Sequence, residues 1–263
     1  AKSIMRRSPD TAMNRFKKTD RNSLGLPIGF SVPNWKPALA PPHASMLGVW
    51  CRLEPIGPQQ HGDALFEAFS EDTENRIWSY LPYGPFENTA ALTRWIEKSC
   101  LGSDPLFHAI IDQSSEKALG VASYLRVNST VGVIEVGHIN YAPMLQKTPA
   151  GTEAMYLMMR RVFEELGYRR YEWKCDALNA ASRQAAERLG MTFEGIFRQA
   201  TMYKNRNRDT AWFSILDHEW PRMKVAFETW LKPENFTADG KQIKRLSDLI
   251  PEDVPHRPRP DRY

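Results

Sequence analysis

Apolar positions recur along this chain with two different periods, and the places where the period changes mark its elements. Val49 to Leu53 reads as a first strand, and Pro58 to Phe69 as a helix with Ala64, Leu65, Ala68 and Phe69 on one side. After an aromatic, proline-containing link from Trp78 to Phe86, Thr89 to Ser99 repeats Leu92, Trp95 and Ile96 at helical spacing. Leu106 to Asp112, Ala118 to Val127 and Val131 to Ala142 are β-branched and aromatic runs separated by turn residues, which predicts an antiparallel meander. A helix is predicted over Ala150 to Leu166, with Ala154, Met158, Val162 and Leu166 on one stripe and Gly167 past its end. Tyr171, Trp173 and Cys175 then alternate with Glu172, Lys174 and Asp176, a half-buried strand with one charged face. Asn179 caps a short helix bearing Ala181, Ala185 and Leu189 and ended by Gly190. A hairpin of Met191 to Phe197 with Thr210 to Leu216 precedes a last helix from Glu219 to Trp230. This order predicts an α/β (α+β) fold with a mixed, mostly antiparallel central sheet flanked by helices.

The ends look different. Residues 1–45 lack sustained apolar periodicity and carry Pro27, Pro33, Pro37, Pro41 and Pro42, so an extended arm is expected there. Ser3-Ile4-Met5-Arg6-Arg7 has the look of a transit peptide, but Asp10 and Asp20 argue for a flexible tail. Residues 232–263 are polar and end among Pro251, Pro255, Pro258 and Pro260, a second arm expected on the surface or on a neighbouring subunit. Residues 46–231 make one domain.

The net charge of +4 belongs to the first arm: residues 1–45 hold eight bases and two acids, leaving −2 for the remainder. A basic extension on a near-neutral fold does not suggest nucleic-acid binding. The longest charge-free stretch, Pro37 to Cys51, spans 15 residues and contains three prolines, so no membrane-spanning helix is expected. Cys51, Cys100 and Cys175 form no C-x-x-C, and the six histidines form no H-x-x-x-H. Reduced thiols in a cytoplasmic compartment are expected, and no metal site.

Glu135-Val136-Gly137-His138-Ile139-Asn140-Tyr141 ends a strand, and Gln146-Lys147-Thr148-Pro149-Ala150-Gly151-Thr152 opens the long helix. A small-residue loop feeding a helix N-terminus gathers unpaired backbone N–H groups at the positive end of the helix dipole. The pattern suits an anion such as a phosphate.

Further along, Leu166-Gly167-Tyr168-Arg169-Arg170, Lys174-Cys175, Asn179-x-x-Ser182-x-x-x-Ala186-Glu187-x-x-Gly190-Met191, Glu194-Gly195-x-x-Arg198 and Arg208-Asp209 resemble the GNAT superfamily of acyl-CoA N-acyltransferases, in its ribosomal-protein N-terminal acetyltransferase-like branch. The resemblance runs from about Cys51 to Trp220 and leaves both arms unexplained. It implies acetyl-CoA as donor, bound where two central strands splay apart, and a primary amine, a protein N-terminus or a small molecule, as acceptor. A non-catalytic acyl-CoA-binding module of the same fold is the alternative. A homodimer stays open.

Carried over by position, Ile139, Asn140 and Tyr141 would present N–H groups to the thioester carbonyl. Gln146, Lys147, Thr148, Ala150, Gly151 and Thr152 would hold the pyrophosphate, although Pro149 replaces a family glycine and has no N–H. Glu135 matches a position where many members carry the base; its other reading is a strand carboxylate facing water. His138, by strict alternation, falls on the opposite face beside Val136. Ala186 fills the slot of the tyrosine that many members use to protonate the leaving thiolate. Ser182, with Asn179 at the helix cap, is the proposed acid of the resembled branch. Thr201 stands where that branch carries a glutamate and cannot act as a base. Cys175 reads as a buried, inert thiol. Trp78, Tyr80, Tyr83 and Phe86 are expected to stack on the acceptor, and Glu71, Asp72 and Glu74 either attract its cationic amine or answer a helix dipole.

Overall fold

The computed structural model describes residues 19–251; residues 1–18, including the transit-like start, and 252–263, including Pro255, Pro258 and Pro260, lie outside the described residues. The chain divides into two compact units, Ala1–Lys36 and Pro37–Tyr263. In the first, β1 (Thr19–Arg21) pairs antiparallel with β2 (Pro27–Gly29). The Asn22 side chain accepts hydrogen bonds from the N–H groups of Leu24 and Leu26, and Gly25 turns the chain at φ +76°. The expected arm therefore contains a hairpin, whose strands are too short to register as periodicity.

The second unit is built on an eight-stranded sheet in the order β3-β4-β5-β6-β7-β8-β10-β9. Its strands are β3 (Met46–Leu47), β4 (Cys51–Pro55), β5 (Leu106–Asp112), β6 (Ala118–Asn128), β7 (Val133–Tyr141), β8 (Arg170–Asp176), β9 (Thr192–Tyr203) and β10 (Arg206–Leu216). Neighbours are antiparallel except β7 and β8, which are parallel because a helix crosses between them. That helix, α3 (Pro149–Arg160), follows α1 (Pro58–Ser70) and α2 (Thr89–Ser99). All residues from Ala150 to Met159 are buried, as befits a helix covered on every side. On the sheet side the Tyr124 hydroxyl donates to the Met158 carbonyl at 2.8 Å, and on the other Tyr156 stacks on Phe227 of α5 (Trp220–Trp230). The opposite sheet face carries α1 and α2, with Trp95 edge-on to Phe107 at 5.6 Å. The helix predicted as far as Leu166 instead loosens into a π turn over Arg161–Glu165.

The Glu153 carboxylate, in α3, accepts the N–H groups of Val49, Trp50 and Cys51 at 2.8, 2.6 and 2.8 Å. A Cβ on Gly48 would lie 2.3 Å from its Oε2, so only glycine lets the turn before β4 come this close.

Contacts with the fold continue outside residues 46–231 at both ends. Ala38 and Leu39 donate backbone hydrogen bonds to Ser129 and Leu166, and the Arg161 guanidinium donates to the Ala44 and Ser45 carbonyls at 2.6 and 2.7 Å. At the other end Phe236 packs against Trp50 and Trp230, and α6 (Leu246–Leu249) buries Leu246. Hidden anchors among polar residues escape a count of periodicity. We expect a 46–263 chain to be less stable than a 37–263 chain by about 1–3 kcal/mol, because buried Arg161 loses its two carbonyl acceptors and keeps only Glu165. Equal denaturant midpoints for the two chains would contradict this.

Candidate active site

β7 and β8 pair only from Val133↔Arg170 to Val136↔Trp173; beyond that the strands part. On its other side, β7 matches Gly137 with Ser123 and Asn140 with Val121, so His138 and Ile139 together face Ala122. This is a bulge, and His138 adopts φ +50° there. Strict alternation placed His138 opposite Glu135; the bulge overturns that expectation. Its ring stacks on Tyr83 and lies 5.0 Å from Phe107, which pairs with Ser123 on the α1 and α2 face. Gly137 and Glu135, two residues apart, share that face.

A cleft of about 1710 Å³ opens at the splay. All the expected site residues line it except Ala150, which is buried beneath. Thr148 caps α3, accepting the Gly151 N–H on its hydroxyl at 3.1 Å, while the Thr152 N–H donates to the Thr148 carbonyl. Gly151 and Thr152 are thus already engaged. Among the described residues the N–H groups of Lys147, Thr148 and Ala150 have no acceptor. Gln146 folds back, its side-chain amide donating to the Tyr141 carbonyl at 3.0 Å. Gly151 is required for packing: a Cβ there would sit 2.8 Å from the Leu145 carbonyl and 3.0 Å from the Tyr141 ring. Asn140 is buried, and among the described residues its Nδ2 has no partner.

Glu135 does not face water. Its carboxylate meets Lys174 Nζ at 2.8 Å and Arg126 Nη1 at 3.1 Å. Lys174 also pairs with Glu172 at 2.8 Å, and its ammonium lies 3.8 Å from the centre of the Trp212 ring. The charged face of β8 is therefore covered, because Glu135 stands in register with Glu172 and shares one ammonium with it. Burial raises the pKa of Glu135 against the pull of Lys174 and Arg126. His138 is held down at about 4 by burial, with Arg126 and Arg208 adding to the effect, so it is neutral at pH 7.

A model of the acetyltransferase (GNAT) domain matches residues 51–192. The chain belongs to the GNAT family. A GCN5-related N-acetyltransferase from Brucella melitensis is 46% identical, superposes with a TM-score of 0.81, and is matched over 83% of this chain and 99% of its own. A probable GNAT-family acetyltransferase from Chromobacterium violaceum is 43% identical, with a TM-score of 0.68 and coverage of 74% and 99%. The microcin C7 self-immunity acetyltransferase MccE, solved with acetyl-CoA and AMP, shares the fold at 19% identity and a TM-score of 0.57, with coverage of 64% and 93%. No match was found among curated proteins.

In this GNAT chain Asn179 accepts the Ser182 N–H at the start of α4 (Ala180–Arg188), and Ser182 Oγ accepts the indole N–H of Trp173 at 3.0 Å. The hydroxyl's own proton is not used by that bond, and the Cys175 sulfur lies within its hydrogen-bonding reach. Ala186 is fully buried, and Cys175 has its thiol pKa raised by burial. The acceptor side departs from expectation. Of the four aromatic residues only Tyr80 lines the cleft; Trp78 packs edge-on to both Tyr83 and Phe86, and Tyr83 in turn holds His138. Asp72 accepts the Ile77 N–H and Glu74 pairs with Arg76, and neither they nor Glu71 reach the cleft. Its carboxylates are Glu135 and Asp176, the latter bonded to the Tyr203 hydroxyl at 2.8 Å. Thr201 also lines it. Sequence reasoning missed Arg126 and Tyr203. A signal for Arg126 existed in part, since an arginine among the apolar residues of β6 must reach a carboxylate or water.

Proposed function

We propose that this chain transfers an acetyl group from acetyl-CoA to a primary amine, a protein N-terminus or a small molecule, by direct attack in a ternary complex. The observation that carries this reading is the splay of β7 from β8 beside the α3 N-terminus, where open backbone N–H groups and an unpartnered Asn140 amide fit a phosphate-bearing thioester. The donor lies along the gap, with its phosphates toward Lys147 to Ala150 and its carbonyl against β7 at Ile139 to Tyr141.

Glu135 receives the proton that the amine loses. Burial raises its pKa, which favours its taking up a proton, and Lys174 and Arg126 steady the carboxylate. Tyr83, whose phenol pKa is raised by burial, stays protonated, and its hydroxyl lies 3.1 Å from His138 Nδ1, which we take as the acceptor of that bond. His138 therefore offers Nε2–H to the cleft, a neutral donor for an acceptor oxygen. Ser182 gives its proton to the departing sulfur at the positive end of α4, and the proton taken up by Glu135 returns to Ser182 through solvent, which closes the cycle. The buried free thiols of Cys51, Cys100 and Cys175 support a reducing, cytoplasmic setting.

The test is thiol release from acetyl-CoA with a panel of small amines and peptide N-termini. Turnover with at least one is expected; tight binding with no turnover across the panel would instead identify a binding module. Ser182→Ala should lower kcat on the order of 10-fold to 100-fold with little change in the KM for acetyl-CoA, since the thiolate is already a fair leaving group. An unchanged kcat in single-turnover measurements would remove Ser182 from the mechanism.

A further inference from the structure

The last residue of α4, Arg188, has an unusual environment for a guanidinium. Its Nη1 donates to the Thr152 hydroxyl at 3.0 Å, and its Cζ lies 4.9 Å from the centre of the Trp230 ring. Among the described residues no carboxylate pairs with it, and burial alone lowers its pKa. A partly buried cation balanced only by a hydroxyl and an aromatic face lacks its counter-charge.

What faces it points the same way. The segment from Phe236 to Arg245, beyond the matched family domain, closes back on itself through an antiparallel bridge between Phe236 and Gln242. It is tied to the fold by the Trp230 indole N–H donating to Gln242 Oε1 at 2.9 Å and by Asn235, which accepts from the Lys244 N–H. This strap and Arg188 line one end of the same cleft, and Lys147, Lys241 and Arg245 line it as well. Lys241 has exposed Asp239 at 2.7 Å; Arg188 has nothing comparable. The cleft's two carboxylates, Glu135 and Asp176, are engaged elsewhere, with Lys174 and Tyr203.

We infer that Arg188 and the strap from Phe236 to Arg245 form a phosphate subsite that grips the phosphorylated nucleotide end of the thioester donor. The inference rests on the donor reading above and adds a role for a segment that lies outside the family domain. Thr152 and Trp230 orient the guanidinium, and the strap supplies a second wall with Arg245. Donor affinity then depends on the phosphates well beyond the reacting pantetheine arm.

Calorimetric titration of wild-type protein and Arg188→Met with CoA, 3′-dephospho-CoA and pantetheine tests this. Arg188→Met should weaken CoA by at least about 10-fold and leave pantetheine within about twofold, and the salt dependence of CoA binding should become shallower. If wild-type protein prefers CoA to 3′-dephospho-CoA and the variant does not, the ligand is the terminal phosphate; if both nucleotides weaken alike, it is the diphosphate. Either result supports the subsite. Equal weakening of CoA and pantetheine, or no weakening of CoA, would overturn it and make Arg188 a structural tie between α3 and α4. Should Arg188→Met fail to fold, Arg188→Lys and Arg245→Gln are read by the same ratio. Wild-type protein that does not bind CoA at all would fail the donor reading itself, a separate result from a bound CoA indifferent to Arg188.

Discussion

Glu135→Gln is expected to lower kcat about 10²- to 10³-fold near pH 7 and to regain part of the rate above pH 9. The amine must reach the thioester unprotonated, and near neutrality nearly every alkyl amine carries a proton that a nearby base has to remove. At high pH the solvent does this work and the base matters less. The substitution keeps the shape of the side chain. Lys174 keeps Glu172 at 2.8 Å, so its ammonium is not left buried and alone. A purely structural Glu135, holding Lys174 and Arg126 in place, would predict the same loss at pH 7 and pH 9.5. The ratio of rates at those two pH values, in a variant with an unchanged melting temperature, decides between them.

The second large effect is on stability. His108 is fully buried, and among the described residues neither ring nitrogen makes a hydrogen bond of good geometry, the Ala44 and Leu106 carbonyls being its nearest acceptors. Burial, with the Arg161 charge adding to it, lowers its pKa from 6.5 to about 4. A depressed histidine is neutral in the folded state while the unfolded chain takes up a proton. Its contribution is therefore intact above pH 6.5, is lost as pH falls from 6.5 toward 4, and changes no further below that. The full loss is on the order of 3 kcal/mol. His108→Leu should remove this slope, so the difference in unfolding free energy between variant and wild type should drift in the variant's favour across that window. Parallel curves would mean that the imidazole is solvated or paired in solution.

Much of this architecture was legible in the chain. The spacing of Leu92 and Ile96 located α2, and alternating β-branched residues located β5 and β6, because each element buries one regular face. The splay came from family resemblance, since nothing in the strands themselves says where pairing stops. The bulge at His138 left no mark either: the residue that takes the left-handed conformation is a histidine between Gly137 and Ile139, and only its partner strand defines the extra residue. Alternation correctly gave two faces to β8. It could not say that the charged one would be covered, which depends on the register of Glu135 with Glu172 across a long crossover. The anchoring of the terminal segments was hidden for a related reason: a single Phe236 or Arg161 fastens a polar stretch through contacts with residues far away in sequence.

The hold of Glu153 on the Val49 to Cys51 turn has a consequence for ligand entry. It sits one turn inside the helix whose first residues present the open N–H groups, and its three short hydrogen bonds anchor that helix to the edge of the sheet. Sliding or tilting α3 to suit an incoming anion would break them and expose a carboxylate to an apolar neighbourhood. The loop end of the cleft is consequently preorganised, so a ligand docks there with little ordering of the backbone and little entropic loss. Adaptation to ligands of different length must come from the other walls, and residence time should respond to changes in those walls far more than to changes in the helix.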